Sequence, residues 1–296
     1  MQHNIDGKIS NLIKGFDRLD YVLSHELATA LFLFQKLEKP ILLEGNPGTG
    51  KTAIASVLAQ LKDTQLIRLQ CYEGLDVNTA VYEWNYQKQL LHIKLFEQKP
   101  QDPQFSDKIF SLEYLLKRPL LKAITAKKKV VLLIDEIDRA DEEFEAYLLE
   151  VLSEYQISIP ELGTIKAIQK PLVILTSNQT RQLSDALKRR CLYHWVEFPS
   201  KEKELSILKK HLPTMEDDLA QQVVTIIQNL REANLQKAPG IAETVDWAKT
   251  LMVLCKNTLD ESLIRSTSGS FLKNNEDINY FLSRPLEEFL MPIKNE

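Results

Sequence analysis

The sequence has few cysteines, no long apolar run and no apolar leader. Its three cysteines, Cys71, Cys191 and Cys255, lie far apart and form neither a CxxC pair nor a disulfide framework. No apolar run approaches the roughly 18 residues of a membrane-spanning helix, and residues 1–14 lack the apolar centre of a signal peptide. These absences predict a cytoplasmic protein without a membrane span.

The sequence also lacks a strong net charge. Its 37 lysines and arginines nearly balance 41 acidic residues, which leaves a formal charge of -4. This balance gives no electrostatic reason for tight binding to nucleic acid, and the basic run Lys127–Lys129 is typical of a solvated loop. The five histidines do not have the spacing of metal ligands. Hydrophobic residues make up 44% of the chain, which is enough for a substantial core.

Short apolar runs alternate with segments of helical spacing along the first two thirds of the chain. Helical spacing is clear in Ser24–Leu37, with Ser24 as the N-cap, and in Thr52–Leu61. This alternation predicts an α/β fold with a mostly parallel sheet covered by helices on both faces. The runs predicted to be strands are Pro40–Glu44, Gln65–Gln70, Val130–Asp135, Leu172–Ser177 and Tyr193–Phe198.

The strand pattern stops near Pro199. Three amphipathic segments follow, Lys201–Leu212, Leu219–Asn234 and Ala242–Cys255, and each has the spacing of a helix. We therefore expect two domains, an α/β domain over residues 1–199 and a helical domain over residues 200–296.

Two segments interrupt the alternation of strands and helices. Tyr86–Pro103 becomes rich in proline and glutamine, which predicts an insertion with an exposed loop. Tyr155–Ile168 contains two short β-forming runs around Gly163, which predicts a β-hairpin. The sequence alone is also compatible with each segment being a surface loop that has no specific role.

The segment GNPGTGKT lies between a predicted strand and a predicted helix. It fits G-x-x-x-x-G-K-[ST], in which backbone N–H groups surround a phosphate at the positive end of the helix. In this motif the ammonium of Lys51 neutralises β- and γ-phosphate oxygens, and the hydroxyl of Thr52 binds Mg²⁺. The residues predicted to bind ATP are Gly45, Asn46, Pro47, Gly48, Thr49, Gly50, Lys51, Thr52 and Ala53.

A second motif, VVLLIDE, ends in a pair of acidic residues. Its apolar run predicts a buried central strand, and Asp135 and Glu136 follow at the carboxyl end, where α/β sheets bind ligands. Asp135 is suited to hold Mg²⁺ through water, and Glu136 can orient an attacking water. Alone, the pair could be a helix cap; together with the glycine-rich loop it predicts ATP hydrolysis.

Longer stretches of the sequence resemble one family. Besides these two motifs, DEIDRADEEF at 135–144 and LLEVL at 148–152 resemble the MoxR subfamily of AAA+ ATPases. CYEGLD at 71–76, VYEW at 81–84 and DALKRRCLYHW at 185–195 are similar to the CoxD-type branch. That branch is associated with maturation of carbon monoxide dehydrogenase and related molybdenum enzymes. The resemblance extends over about Tyr21–Leu251.

The resemblance implies further site residues and an architecture. Asn178, in the segment TSN after a predicted strand, matches the family's first sensor, which contacts the γ-phosphate and the attacking water. Arg190 matches the arginine finger, with Arg189 as the alternative, and acts on the neighbouring subunit. A finger supplied in trans implies a homo-oligomeric ring, which is a hexamer in this family. The implied architecture is a P-loop αβα sandwich with an all-α lid domain.

One position departs from the family pattern. Many relatives carry an arginine at the start of a lid helix, whereas Glu243 stands near that position here. The second sensor is therefore missing, or another cation such as Lys237 replaces it. Mg-ATP is expected between the core and the lid, near Tyr21 and Val22 on the adenine side.

The resemblance implies a remodelling function. Family members act as chaperones in complex assembly or metal-cofactor enzyme maturation, often with a von Willebrand factor A domain protein and a protein client. The insertion, extended to Lys108, and the hairpin Tyr155–Ile168 are the elements expected to face a partner. Two alternatives are a motor acting on nucleic acid, which the near-neutral charge argues against, and a scaffold that binds nucleotide with little turnover.

Overall fold

The computed structural model describes residues 2–97, 109–233, 235–254 and 260–290. Among the helices in these ranges, none combines the length and apolarity needed to cross a lipid bilayer. The chain forms two compact units, and neither is continuous in sequence. The boundary at residue 199 that we expect from the sequence, between an α/β domain and a helical domain, stays a prediction. The first unit contains Met1–Leu12, His25–Gly45 and Lys51–Trp195, and the second contains Ile13–Ser24, Asn46–Gly50 and Val196–Glu296.

A five-stranded sheet forms the centre of the first unit. All of its strand pairs are parallel, in the order β2 (Leu66–Gln70), β5 (Val131–Asp135), β8 (Leu172–Ser177), β1 (Ile41–Glu44) and β9 (Leu192–Trp195). Every residue of β1, β5 and β8 is buried, as expected for strands covered on both faces. The predicted parallel sheet is therefore confirmed, and the carboxyl ends of its strands meet at one edge.

The helices before residue 196 include two that the apolar spacing predicted. In the second helix, Leu27, Ala28, Leu31 and Phe34 are buried, which confirms the predicted stripe. Short 3₁₀ helices span Leu112–Tyr114 and Ile137–Arg139. The helices are α1 (Gln2–Asp17), α2 (His25–Leu37), α3 (Lys51–Leu61), α4 (Val77–Ala80), α5 (Tyr86–Glu97), α6 (Pro119–Ile124), α7 (Glu142–Glu154) and α8 (Asp185–Arg190).

The amino-terminal segment forms helix α1, which the sequence analysis did not predict. Its apolar residues Ile9, Leu12 and Phe16 are buried, and they recur at the three- and four-residue intervals of one helical face. The apolar stripe is narrow and the residues on either side of it are polar. The average polarity of the segment therefore does not indicate a helix.

Of the two predicted interruptions, the hairpin is confirmed in full. Strands β6 (Gln156–Ile159) and β7 (Gly163–Lys166) pair antiparallel, and Gly163 has a φ of 73° at the turn. The predicted insertion begins as helix α5, and its residues 98–108 lie outside the described residues. It is flanked by a small antiparallel sheet of β3 (Tyr82–Trp84) and β4 (Leu115–Lys117), which was not predicted.

Helices surround an apolar core in the second unit. The three predicted helices are confirmed, although Asn234 and Cys255, the predicted last residues of the second and third, lie outside the described residues. Their core includes the fully buried Trp247, whose ring lies 4.2 Å from the ring of Phe271. From residue 200 the described helices are α9 (Lys201–His211), α10 (Asp217–Glu232), α11 (Ile241–Val253), α12 (Glu261–Ser266), a 3₁₀ turn (Ser268–Ser270), α13 (Asn275–Leu282) and α14 (Glu287–Leu290).

Candidate functional site

The glycine-rich turn connects β1 to α3. Gly48 and Gly50 have φ angles of 79° and 86°, in a region that residues with a β-carbon rarely adopt. The hydroxyl of Thr49 donates a hydrogen bond to the carbonyl oxygen of Asn46 at 3.0 Å. Because α3 begins at Lys51, the N–H groups of its first turn follow directly. Helix N-termini of this kind bind phosphate groups.

Lys51 has a buried side chain at the start of α3. Its ammonium donates a hydrogen bond to the carbonyl oxygen of Gly45 at 2.7 Å, and only 6% of the residue is exposed. Burial lowers the pKa of Lys51 to about 8, and nearby carboxylates partly oppose this shift. An anionic ligand would restore the charged form, so this lysine favours phosphate binding. The opposing carboxylates belong to Asp138, Asp135 and Glu136.

The carboxylate of Asp135 is held by three side chains at the end of β5. One oxygen, Oδ1, accepts hydrogen bonds from the hydroxyls of Thr52 at 3.0 Å and Thr176 at 2.5 Å. The other, Oδ2, accepts from the guanidinium of Arg68 at 2.5 Å. Asp135 is 2% exposed, so these partners take the place of the water that would otherwise solvate its charge. The structure therefore brings the predicted magnesium ligands, Thr52 and Asp135, into direct contact.

These oxygen atoms fit a magnesium ion that arrives with a nucleotide. Mg²⁺ usually binds through one or two protein oxygens, together with waters and substrate phosphates. A threonine hydroxyl beside a buried carboxylate, as in Thr52 and Asp135, supplies that donor set. No group of three or more His, Cys, Asp or Glu side chains in the described ranges could hold a metal ion by itself.

Glu136 adopts an unusual backbone conformation directly after β5. Its φ and ψ are 55° and 50°, in the left-handed region, and its N–H donates to the hydroxyl of Thr176 at 2.9 Å. Its carboxylate accepts a hydrogen bond from Arg139 at 3.2 Å and is one-third exposed. The side chain therefore leaves the strand on a different path from that of Asp135 and remains open to a ligand.

Asn178 follows β8, the strand that lies next to β5. Its side chain is half-buried, and within the described part of the chain its amide has no hydrogen-bond partner. The neighbouring Gln179 has a φ of 57° and donates from its amide to Glu44 at 3.0 Å. Because the carboxyl ends of parallel neighbours meet, Asn178 lies at the sheet edge that carries Asp135.

Arg190 ends α8 with an exposed side chain. Its Nε donates to the hydroxyl of Ser153 on α7 at 2.6 Å, and another guanidinium nitrogen donates to the carbonyl oxygen of Ala186 at 3.0 Å. Among the contacts that the structure describes, none joins Arg190 to Asp135 or Glu136. The structure does not bring this arginine into the site of its own chain.

Arg68 and Thr176 are contacts of Asp135 that the sequence interpretation missed. The signal for Arg68 was present, because Arg68 and Gln70 put polar side chains on one face of an otherwise apolar strand. The register of β2 against β5 brings Gln70 opposite Asp135, and Arg68 lies on that same face. The pairing of these two strands was needed to connect the guanidinium with the carboxylate.

Within the second unit, the start of α11 touches the glycine-rich turn. A β-carbon at Gly240 would lie 2.7 Å from the Cα of Gly48, so the two backbones meet with no room for a side chain. The N–H of Ile241 donates to the carbonyl oxygen of Gly48 at 2.9 Å. The carboxylate of Glu243 accepts from the N–H of Gly240 at 3.1 Å, and thus caps its own helix.

The side chain of Tyr21 also lies beside the glycine-rich turn. A β-carbon at Gly50 would lie 3.7 Å from the hydroxyl oxygen of Tyr21, and burial raises the pKa of that hydroxyl. For Lys237, the structure shows a backbone N–H that donates to Asp277 at 3.0 Å. The substitution of a cation for Glu243 therefore stays a prediction.

The chain is similar to several proteins of known sequence or structure. An uncharacterized protein of Staphylococcus aureus is 29% identical over 234 residues, which cover 77% of this chain and 80% of that protein. An uncharacterized protein of Staphylococcus haemolyticus is 26% identical over 269 residues, which cover 86% of this chain and 94% of that protein.

Solved structures that match include the Holliday junction branch migration motor RuvB of Thermotoga maritima. It has a TM-score of 0.45 and 19% identity, and the match covers 90% of this chain and 68% of RuvB. A point mutant of the same motor has a TM-score of 0.48. The model of the AAA domain (dynein-related subfamily) matches residues 40–191, slightly more than half of the chain. With its P-loop, its five-stranded parallel sheet and its helical carboxyl-terminal region, the chain thus belongs to the dynein-related subfamily of AAA domains.

Proposed function

We propose that this protein is a magnesium-dependent ATPase that remodels protein clients. The observation that carries the hydrolytic part is the contact of Thr52 with Asp135, next to the accessible carboxylate of Glu136. The hydroxyl of Thr52 and the carboxylate of Asp135 would hold a magnesium ion, which would neutralise charge on the β- and γ-phosphates. Residues 45–53 hold the phosphates, and Lys51 adds a buried positive charge.

Two further side chains complete the proposed hydrolytic site. Glu136 orients the attacking water and accepts its proton, because its carboxylate is accessible directly after β5. Asn178 has an amide without a protein partner in the described ranges, and it is suited to donate a hydrogen bond to the γ-phosphate or the water. Both residues lie at the carboxyl edge of the sheet, where ligands of α/β proteins bind.

Arg190 is proposed to act on the nucleotide of a neighbouring subunit. Its guanidinium is exposed, lies at the end of α8 and is oriented by Ser153, so it is available to a second copy of the chain. A planar guanidinium stabilises charge on the transferring phosphoryl group. The proposal requires a homo-oligomeric ring, and a hexamer is the form that the resemblance to MoxR proteins implies.

The remodelling part of the proposal is supported by exposed apolar side chains. Tyr86 and Leu90, four residues apart on α5, are 63% and 58% exposed, and Leu91 is 61% exposed. Large apolar groups in contact with water are typical of a surface that binds protein. We propose that α5 and the hairpin Tyr155–Ile168 bind a protein client or a von Willebrand factor A domain adaptor, in complex assembly or metal-cofactor enzyme maturation.

Phosphate release and nucleotide binding test the hydrolytic part. Glu136→Gln is expected to keep Mg-ATP binding and to lose about 100-fold or more in turnover, because it removes the base. Lys51→Ala is expected to lose binding. The matched control is Glu143→Gln, which changes an exposed glutamate on α7 and should leave both quantities unchanged. Near-normal hydrolysis by Glu136→Gln would show that another residue activates the water.

A further inference from the structure

A cavity lined by lysines lies at the amino ends of the strands, within the first unit. Its volume is about 610 Å³, and it is formed by α1, the ends of α2 and α3, the residues that precede β5, and the first residue of β8. Lys51 and Thr52 begin α3, whereas Leu61 near its end lines the cavity. A rise of about 1.5 Å per residue puts the cavity roughly 15 Å from the glycine-rich turn.

The charge around this cavity is strongly unbalanced. Five lysines line it, against the single carboxylate of Asp63. Lys129 forms a salt bridge with Glu38 at 2.5 Å, and the other four lysines form none in the part of the chain that the structure describes. The five are Lys8, Lys36, Lys62, Lys128 and Lys129. In a chain with a net charge of -4, this concentration of unpaired cations is not explained by overall composition.

The ammonium groups are close enough to affect one another. The pKa of Lys62 is lowered, first because burial disfavours its charge and then because Lys36 and Lys129 repel it. Lys129 is paired with Glu38, whereas Lys36 and Lys62 have no salt bridge in the described part of the chain, so their mutual repulsion is not offset by a paired carboxylate. An anion with several charges would remove this repulsion at more than one lysine, which a single acidic side chain would not do.

The volume of the cavity and its apolar lining residues indicate which class of ligand it binds. A volume of this size is typical of sites for small molecules, and apolar side chains form part of the walls. Lysine ammonium groups bind phosphate as point charges. The apolar side chains are Leu12, Phe32, Leu61 and Leu172.

We propose that this cavity binds a compact polyanion that carries several phosphate groups. Lys36 and Lys62 contact its phosphates from the ends of α2 and α3, and Lys8 and Lys128 contact them from α1 and from the segment before β5. The site is separate from the glycine-rich turn, and its occupation does not require hydrolysis.

The test uses the full chain and inorganic tripolyphosphate. Titration calorimetry is done with saturating Mg-ADP, and again in the Lys51→Ala variant, so that binding at the glycine-rich turn is removed in two independent ways. One equivalent is expected to bind in both cases. Lys36→Gln/Lys62→Gln is expected to bind about tenfold more weakly or worse, because it loses two charge-assisted contacts. The matched control is Lys122→Gln/Lys166→Gln, which changes exposed lysines of the same unit outside the cavity and should bind like the wild type.

Three outcomes would overturn the proposal. One is the absence of tripolyphosphate binding at millimolar concentration by the wild type. Another is equal binding by the Lys36→Gln/Lys62→Gln variant when its circular dichroism shows that it is folded. The third is lysine-dependent binding of poly-glutamate or of a single-stranded oligonucleotide, with affinity that grows with chain length, in place of binding to tripolyphosphate.

Discussion

Glu204 and Arg231 form a buried ion pair that connects helices of the second unit. Glu204 on α9 is fully buried and accepts two hydrogen bonds from the guanidinium of Arg231 on α10, each 2.7 Å long. Thr244 on α11 donates to the same carboxylate at 2.7 Å. The guanidinium also donates to the carbonyl oxygen of Pro239 at 2.8 Å. The pair thus holds the turn that places Gly240 against Gly48.

Replacing Glu204 by leucine would leave the guanidinium of Arg231 buried and without its counter-ion. Loss of one partner of a buried pair costs about 3–5 kcal/mol. Arg231 would keep Pro239 and the face of the Phe198 ring, whose centre lies 4.5 Å from the guanidinium. We therefore expect a loss at the low end, about 3 kcal/mol in the free energy of unfolding. Nucleotide binding should weaken as well, because the turn beside Gly48 loses its support.

Urea unfolding, hydrogen exchange of α11 and fluorescent ADP binding measure these effects. Glu204→Leu/Arg231→Met removes both charges and is expected to recover most of the lost stability. The matched control is Glu232→Leu, which changes an exposed glutamate at the end of α10 and should shift the unfolding free energy by less than about 0.5 kcal/mol. If Glu204→Leu alone were as stable as the double variant, the unpaired charge would not be the cause of the loss.

The remaining predictions concern the proposed ATPase. Lys51 has a pKa near 8 without a ligand, so ATP binding should raise that pKa, with proton uptake above about pH 8 and little near pH 7. Calorimetry in buffers of different ionisation enthalpy measures this uptake, and the same uptake at pH 7 as above pH 8 in the wild type would contradict the prediction. Mixing Arg190→Ala with Lys51→Ala subunits should restore part of the ATPase activity, since some interfaces then pair an intact glycine-rich turn with an intact Arg190. If confirmed rings showed no recovery, Arg190 would not be the arginine that acts on the neighbouring subunit. Replacing Glu161–Thr164 by a glycine-serine turn should keep basal ATPase activity within roughly twofold and reduce client binding sharply. Unchanged client maturation would show that the hairpin does not bind the client.

The parts of the fold that the sequence predicted are those with a local cause. The buried runs that became β1, β5 and β8, and the turn that requires φ above zero at Gly48, follow from residues that are close in sequence. The hairpin around Gly163 is of the same kind. In each case the pattern of a few consecutive residues is enough to define the backbone.

The parts that were missed depend on contacts between distant residues. Arg68 reaches Asp135 only because β2 pairs with β5, and the sequence does not contain that register. The pair Glu204–Arg231 joins two helices, and each member alone looks like a surface charge. The cavity lysines come from four separate segments, so the run Lys127–Lys129 shows only part of the cluster.

The left-handed backbone conformation of Glu136 affects which residues the fold favours at this position. For a residue with a β-carbon that conformation costs roughly 1–2 kcal/mol, whereas glycine adopts it without strain. Glu136→Gly would therefore relieve strain in the fold while it removes the proposed base. Folding and chemistry favour different residues at this one position. A library selected only for thermal stability would then enrich inactive chains, whereas one selected for turnover would keep a glutamate that the backbone disfavours.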